Sequence, residues 1–305
     1  MVAEKIGYFQ RLSMFSQAHL PVLATAVESF RFVITHRREL RRLAFFAVPA
    51  FYLIHIAFDS IDWFALSHYG LNATAMRALA DLVLRGGIAT IVLVAWHRVV
   101  MLKVGARRTL PPISIGLREF RYFVVWVLLS VAFVAVFAAT MAAMVAVQFV
   151  AMLGVYFLLL LLGLSKMLVV GQRDQLMLVM WISVFFALPM ASYITGRLSL
   201  VLPAMAVDRK RPLRQAWRLS AGNGWRLVIA SLLVMLPMES IAALCNRAAL
   251  ATRATLAYYP LSFAAVVSVF LLVVLTGTIL SLFSLQLDTG QGNRDAARAD
   301  IVPAE

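Results

Sequence analysis

Residues 197–228 read RLSLVLPAMAVDRKRPLRQAWRLSAGNGWRLV. This stretch has too many charges to cross a hydrocarbon core, which takes roughly 20 apolar residues as helix, and it is too apolar for an ordinary exposed loop. Pro212 suits the first turn of a helix, where its missing N–H costs nothing. Gly222, Asn223 and Gly224 then end that helix, because Gly and Asn tolerate the left-handed conformation. The stretch predicts a short amphipathic helix on the cytoplasmic surface of a membrane.

The predicted surface helix has one weakly apolar face. Leu213, Ala216, Trp217 and Ser220 follow at positions i, i+3, i+4 and i+7. An aromatic residue and a cation at headgroup level then open the next apolar segment. The alternative is an ordinary cytoplasmic loop. The candidates for contact with anionic lipid are Arg197, Arg214, Trp217, Arg218, Trp225 and Arg226.

The composition of the whole chain is that of a membrane protein. Of its 305 residues 63% are hydrophobic and 14% are charged, whereas a soluble domain is about half apolar and about a quarter charged. The net charge of +14 is explained by cations that collect on the cytoplasmic side of a membrane. No basic patch is interleaved with exposed stacking aromatics in a soluble module, so nucleic acid is not an expected partner. Cys245 is the single cysteine, which excludes an internal disulfide and a cysteine-based metal site.

The hydropathy pattern predicts an all-α integral membrane protein with six transmembrane helices. A seventh apolar stretch, 147–171, complicates the count. It predicts a re-entrant or interfacial hairpin, or two half-depth helices broken near Gly154 or Gly163. The six spans are predicted at 43–59, 80–102, 122–145, 176–200, 225–246 and 260–286.

The basic residues favour six crossings over seven. With six spans and both termini cytoplasmic, 22 of the 28 basic residues lie inside. A seventh crossing would place the RKRPLR cluster outside, against the positive-inside bias. The expected location is therefore a bacterial inner membrane, with a polar and disordered cytoplasmic tail at 287–305. The six residues left on the outer side are Arg77, Arg85, Lys166, Arg173, Arg247 and Arg253.

Three similar units follow one another within the single membrane domain at 1–286. Each consists of a surface helix, a basic-aromatic junction and a pair of spans, at about 20–102, 111–200 and 212–286. The first surface helix contains the stripe Leu20, Leu23, Val27, Phe30 and Ile34, and the second follows Pro111 and Pro112. Internal duplication is a common way to build membrane folds, and 147–171 is interpreted as an insertion into the second unit.

The signature of the third unit resembles a known family. It is similar to the membrane domain found beside some bacterial glycerophosphodiester phosphodiesterases, and to related stand-alone inner-membrane proteins. The resemblance implies a multi-span helical protein. The phosphodiesterase activity is not implied, because the catalytic domain has no counterpart here. The matching residues are Arg197, Leu202, Pro203, Ala204, Asp208, Ala216, Trp217, Gly222, Trp225 and Arg226.

Catalytic signatures for phosphoryl transfer, zinc hydrolysis and nucleotide binding are missing from the sequence, so no enzyme activity and no cofactor are expected. Ionisable residues in the spans are then the best functional pointers, because each is costly to bury. His55, Asp59 and Asp62 share one helical face, which could hold a metal or relay a proton. A helix end that surfaces into water explains them better, and no metal site is assigned.

Two further ionisable groups bear on function. Glu239 lies deep in the fifth span and could be paired with Arg85, Lys166 or His55, although Arg85 is also placed to pair with Asp81 at i−4. Arg197 could bind a lipid phosphate or cap a helix C-terminus. Polar residues within the spans are few, which favours a non-catalytic protein that organises lipids or inner-membrane partner proteins. The alternative is a transporter or channel with a pathway between the repeats near Glu239.

Overall fold

The computed structural model describes residues 22–61, 72–102, 116–162, 172–209 and 213–299, and these residues are almost entirely helical. Backbone polar groups have no water to bond in hydrocarbon, and a helix satisfies them within one segment. The helices are α1 Val22–Thr35, α2 Arg37–Ser60, α3 Ala73–Leu102, α4 Leu117–Leu161, α5 Gln172–Ser199, α6 Val201–Ala206, α7 Leu213–Leu219, α8 Gly224–Ala251 and α9 Tyr258–Ala299.

The prediction of six helices that could span a membrane is confirmed. Six helical stretches of the described residues are long and apolar enough to cross a membrane. By helix length and hydropathy the chain is a multi-pass membrane protein. The stretches are Arg37–Ser60, Ala75–Leu102, Leu117–Leu158, Met177–Ala206, Gly224–Ala251 and Tyr258–Asp288.

The long helices pack as three hairpins, α2–α3, α4–α5 and α8–α9. The last helix is the central one, since α9 contacts α1, α2, α3, α6 and α8. The most apolar part of α9 is 56% buried, whereas that of α4 has no buried residue and lies at the periphery. The end of the bundle where α2, α4 and α8 begin is called the Arg197 end. The opposite end, where α2 stops and α3 and α9 begin, is called the Asp59 end.

The additional apolar residues at 147–161 extend α4. The break predicted near Gly154 is therefore wrong. The helix passes through Gly154 without interruption. One glycine costs a helix about 1 kcal/mol relative to alanine, and strong helix formers precede it at 151–153 and follow at 158–161. At 1.5 Å per residue, α4 is about 67 Å long, roughly twice the thickness of a hydrocarbon core. Gly163 lies outside the described residues.

The predicted disorder of the tail is also wrong for residues 287–299, which continue α9. Adding residues to an existing helix avoids the unfavourable nucleation step. Glutamine, arginine and alanine in this segment are good helix formers. The last six residues lie outside the described part of the chain.

Two of the three predicted surface helices fall on described residues. α1 packs Thr25, Ala26 and Ser29 against the bundle and leaves Leu23 and Val27 exposed, 70% and 63%. Three members of the predicted apolar stripe, Leu23, Val27 and Ile34, therefore face away from the protein, whereas Phe30 packs against the core. α7 forms the second, while the stretch at 111–115 lies outside the described residues.

Candidate functional site

Arg197 lies in the last turn of α5 and is 7% exposed. Its Nε donates to Oγ of Ser220 at 2.9 Å, and its Nη1 donates to the hydroxyl of Tyr193 at 3.1 Å. Nη2 donates to the carbonyl of Trp217 in the last turn of α7. Of the two expected roles of Arg197, the geometry is that of a helix cap. Each of the three guanidinium nitrogens donates a hydrogen bond to a protein group.

Aromatic rings enclose the same guanidinium. Cζ of Arg197 lies 3.6 Å from the ring centroid of Trp217 and 5.4 Å from that of Tyr193. The Tyr193 ring in turn packs on Trp225, with 4.8 Å between centroids. A cation held over aromatic faces is stabilised by the ring quadrupoles. Tyr193, Arg197, Trp217, Ser220 and Trp225 are called the Arg197 cluster.

The turn between α7 and α8 lets the two helices meet at Arg197. Gly222 has φ +78°, the left-handed conformation that glycine adopts without strain. A Cβ atom added to Gly224 would lie 2.5 Å from Cε2 of Tyr193 and 2.9 Å from Cδ of Arg197. The helix stop predicted at Gly222–Gly224 is thus present, and Gly224 is in addition a point of close packing.

The outer surface of this region is basic and aromatic. Arg214 and Arg218 are exposed on α7. Trp217 is 37% exposed and Trp225 is 49% exposed, so each ring keeps one side open. Arg226 is half-buried at the start of α8. Side chains of these kinds meet lipid headgroups at a membrane surface.

A charged cluster next to this surface was not predicted. Nη1 of Arg118 lies 3.3 Å from Oδ2 of Asp208, and Nη2 lies 2.8 Å from Oε1 of Glu119. Glu119 also accepts from the backbone N–H of Gly116 at 3.0 Å and so caps α4. Asp208, the acidic residue of the signature, therefore links the end of α6 to α4. The signature's Leu202, Pro203 and Ala204 are buried in α6.

A second basic surface lies at the start of α2. Arg38, Arg41, Arg42 and Phe45 follow at i, i+3, i+4 and i+7 and line one open cleft of about 420 Å³. The three arginines are exposed, and Phe45 is 86% exposed. The run HRRELRR indicated a basic cluster. Its placement on one face together with an aromatic side chain required the structure.

A buried polar network joins α3, α4 and α9, and sequence reasoning missed it. Nδ1 of His97 lies 2.6 Å from Oγ of Ser281, and Nε2 lies 2.9 Å from the hydroxyl of Tyr122. Trp96 Nε1 donates to Thr278 at 2.8 Å. Four side chains of the network are fully buried: His97, Tyr122, Thr278 and Ser281. The spacing of Thr278 and Ser281 in an apolar span was the available signal.

At the Asp59 end, the face proposed as a weak metal candidate holds helices together. Oδ2 of Asp59 accepts from the Tyr258 hydroxyl at 2.7 Å, and Oδ1 lies 3.7 Å from Nη2 of Arg77. Nη2 of Arg253 donates to the Asp59 carbonyl at 2.9 Å. Nε2 of His55 lies 3.9 Å from Oδ2 of Asp59. Asp62 lies outside the described residues, and those described contain no group of three potential metal ligands.

Glu239 lies on the exposed side of α8, about 22 Å from Gly224 along the helix axis at 1.5 Å per residue. It makes no hydrogen bond or ion pair with any residue that the structure describes. The expected partner Arg85 pairs instead with Asp81, with Nε and Oδ1 2.8 Å apart. Lys166 lies outside the described residues.

The expectation that Glu239 is paired inside the bundle is therefore wrong for the described partners. α8 turns Ala230, Val234 and Ala242 toward its neighbours, because small side chains allow close helix packing. Glu239 is on a different face of the helix. It does not line a space between the hairpins.

Comparison of the chain with protein-family models, curated proteins and solved structures finds no match. The resemblance to the phosphodiesterase-associated membrane domain thus stays a prediction from its signature residues.

Proposed function

We propose that the protein is a non-catalytic, multi-pass protein of a bacterial inner membrane that organises anionic lipids, or partner proteins, at the cytoplasmic face. The observation that supports this most is the exposed basic-aromatic surface at the Arg197 end. Arg214 and Arg218 are exposed beside Trp217 and Trp225. Buried Arg197 holds the helix that carries them.

The chemistry of this surface suits a lipid phosphate. A guanidinium presents several donors in a planar fork that matches phosphate oxygens. Tryptophan places an apolar ring and a polar N–H at the boundary between acyl chains and headgroups. The stripe Arg38, Arg41, Arg42 and Phe45 repeats the same combination on α2. Each arginine near an anionic leaflet contributes about 1 kcal/mol of attraction.

The orientation in the proposal follows from the distribution of charge. Both termini are placed in the cytoplasm, which puts the basic starts of α2, α4 and α8 on the side where cations accumulate. In the described residues the first and third pseudo-repeats each have a short helix followed by a hairpin, α1 before α2–α3 and α7 before α8–α9. The first and third surface helices flank the same end of the bundle.

Lipid-dependent stability tests the proposal. The purified protein is placed in nanodiscs of phosphatidylcholine alone, or with phosphatidylglycerol added, and melted in each. Phosphatidylglycerol should raise the Tm of the wild type. The double variant Arg214→Gln/Arg218→Gln should lose most of that rise. Arg247→Gln is the matched control, because Arg247 is also exposed but lies near the Asp59 end of α8.

Equal responses of the wild type and the double variant would contradict the proposal. A loss of the response in Arg247→Gln would show that general charge, rather than the Arg197 end, governs lipid binding. The transporter alternative depended on Glu239 lining a pathway. Its exposed position on α8 gives that alternative no support.

A further inference from the structure

Between Ile229 and Leu244 the outward face of α8 is apolar except at one level. Ile229, Leu232, Leu236 and Leu244 are 47%, 36%, 60% and 66% exposed. Between them, Glu239 is exposed as well. In a membrane this face meets acyl chains over most of its length. The carboxyl group interrupts it far from the ends of the helix.

At this level two side chains have no hydrogen-bond partner among the residues that the structure describes, and one backbone carbonyl loses its usual helical donor. Glu239 has none for its carboxyl group, and the exposed neighbour Ser240 has none for its hydroxyl. Pro237 lies inside the helix and has no backbone N–H. The carbonyl of Leu233 therefore lacks its donor at i+4. Leu233 is itself 41% exposed.

Hydrocarbon cannot satisfy these groups. Lipid chains neither donate nor accept hydrogen bonds, so an open carboxyl, hydroxyl and carbonyl at one depth are unfavourable. The two ends of α8 are about 22 Å and about 18 Å away along the axis, since Glu239 is 15 residues after Gly224 and 12 before Ala251. The exposed Arg247, the nearest charged residue toward the Asp59 end of α8, is eight residues or about 12 Å along the axis, which is further than a glutamate side chain reaches. A second protein surface that offers hydrogen bonds would satisfy them.

A second copy of the chain fits this requirement by symmetry. All copies of a membrane protein have one orientation, so a two-fold axis that relates two of them runs along the membrane normal. Residues at equal depth then meet, and Glu239 faces Glu239. A carboxyl group that keeps its proton is both donor and acceptor, which makes it complementary to itself. Polar side chains hold membrane helices together in this way.

We propose that the chain forms a two-fold dimer in the membrane through the outward face of α8, with the two Glu239 side chains hydrogen-bonded to each other at its centre. Leu236 of one copy packs against Leu236 of the other, one turn from the carboxyl pair. Ser240 and the carbonyl of Leu233 lie close to the same contact. The bundle interior, including the His97 network, is not part of it.

Disulfide cross-linking in native membranes tests the dimer without disturbing its polar groups. In a Cys245→Ser background, Leu236→Cys should form a disulfide-linked dimer on mild oxidation. Leu128→Cys on α4 is the matched control, because Leu128 is 61% exposed against 60% for Leu236. The two positions are also about 17 and 18 Å from the starts of their helices at the Arg197 end. Leu128→Cys should give little dimer.

The carboxyl pair is then tested in the Leu236→Cys chain. Glu239→Gln keeps a donor and an acceptor of the same size and should preserve cross-linking. Glu239→Leu should lower the association constant about 5- to 30-fold. Size-exclusion chromatography of the uncross-linked variants reports whether each one stays folded.

The outcomes separate clearly. Cross-linking of Leu236→Cys no stronger than that of Leu128→Cys overturns the dimer. A disulfide to a polypeptide of another size shows that a different protein covers this face and also overturns it. Strong cross-linking that Glu239→Leu leaves unchanged overturns the role of the carboxyl pair. Strong cross-linking lost in Glu239→Leu and kept in Glu239→Gln supports the proposal.

Discussion

The guanidinium of Arg197 lies 3.6 Å from the ring centroid of Trp217 and donates a hydrogen bond to the backbone carbonyl of the same residue. A single side chain at the end of α5 thus fixes both the last turn of α7 and the indole ring beside it. The orientation of the exposed basic surface on α7 depends on this contact. Breaking this contact should therefore lower the stability of the protein.

Replacing Arg197 by lysine should destabilise the protein by about 1–3 kcal/mol, because one ammonium cannot serve the acceptors at Ser220, Tyr193 and Trp217 together. Thermal melting in detergent measures the loss as a lower Tm. Arg214→Lys is the control and should stay within about 0.5 kcal/mol of wild type, since Arg214 is exposed. An unchanged Tm for Arg197→Lys would show that the cap is not important for stability.

Two glycines should respond to alanine with opposite signs. Gly224→Ala places a methyl 2.5 Å from the Tyr193 ring, and such overpacking costs about 1–3 kcal/mol. Gly154→Ala meets no atom within 4 Å in the middle of α4 and should stabilise that helix by about 0.5–1 kcal/mol. Thermal melts of the two variants check the pair. A neutral Gly224→Ala would contradict the close approach of α8 to Arg197.

The buried network should make His97, Tyr122 and Ser281 interdependent. Tyr122→Phe removes the hydroxyl that faces Nε2 of His97 and should cost about 1–3 kcal/mol, because a buried ring nitrogen loses its partner. Tyr259→Phe is the control, as Tyr259 is 52% exposed. A double-mutant cycle of Tyr122→Phe with Ser281→Ala should show non-additive stability changes. Additive changes would mean that the two contacts act independently.

The proposed orientation predicts accessibility from each side of the membrane. In a Cys245→Ser background, Leu256→Cys should react with an impermeant thiol reagent in intact cells, because Leu256 is 85% exposed in the turn between α8 and α9. Gln215→Cys on α7 is exposed at the opposite end and should react after the membrane is opened. The reverse pattern would invert the topology.

The six spans were predictable from the sequence because long apolar runs form helices in lipid for a local reason. Each run must satisfy its own backbone hydrogen bonds. The helix stop at Gly222–Gly224 was predictable for an equally local reason, since glycine and asparagine tolerate the conformation that ends a helix. The sequence predicted a break near Gly154 from a single glycine, and disorder after residue 286 from composition. Instead α4 continues through Gly154 and α9 continues to residue 299.

The contacts of the site depended on tertiary structure. The signature pointed to Arg197, Trp217 and Asp208 but not to their contacts. Arg197 and Trp217 are 20 positions apart in the sequence, and Asp208 and Arg118 are 90 positions apart. His97 gave no local signal of its partners on two other helices. These distances between side chains follow from how the hairpins pack.

From the residues alone one can derive six apolar helices long enough to cross a membrane and the clustering of the basic residues between them. The direction in which each side chain faces follows from how the helices pack. Glu239 shows the difference: its depth in α8 follows from counting residues along the chain, but its exposure follows from the rotation of α8 about its own axis. Neighbouring positions on a helix differ by about 100°, and packing of small residues against α5 and α9 fixes that rotation.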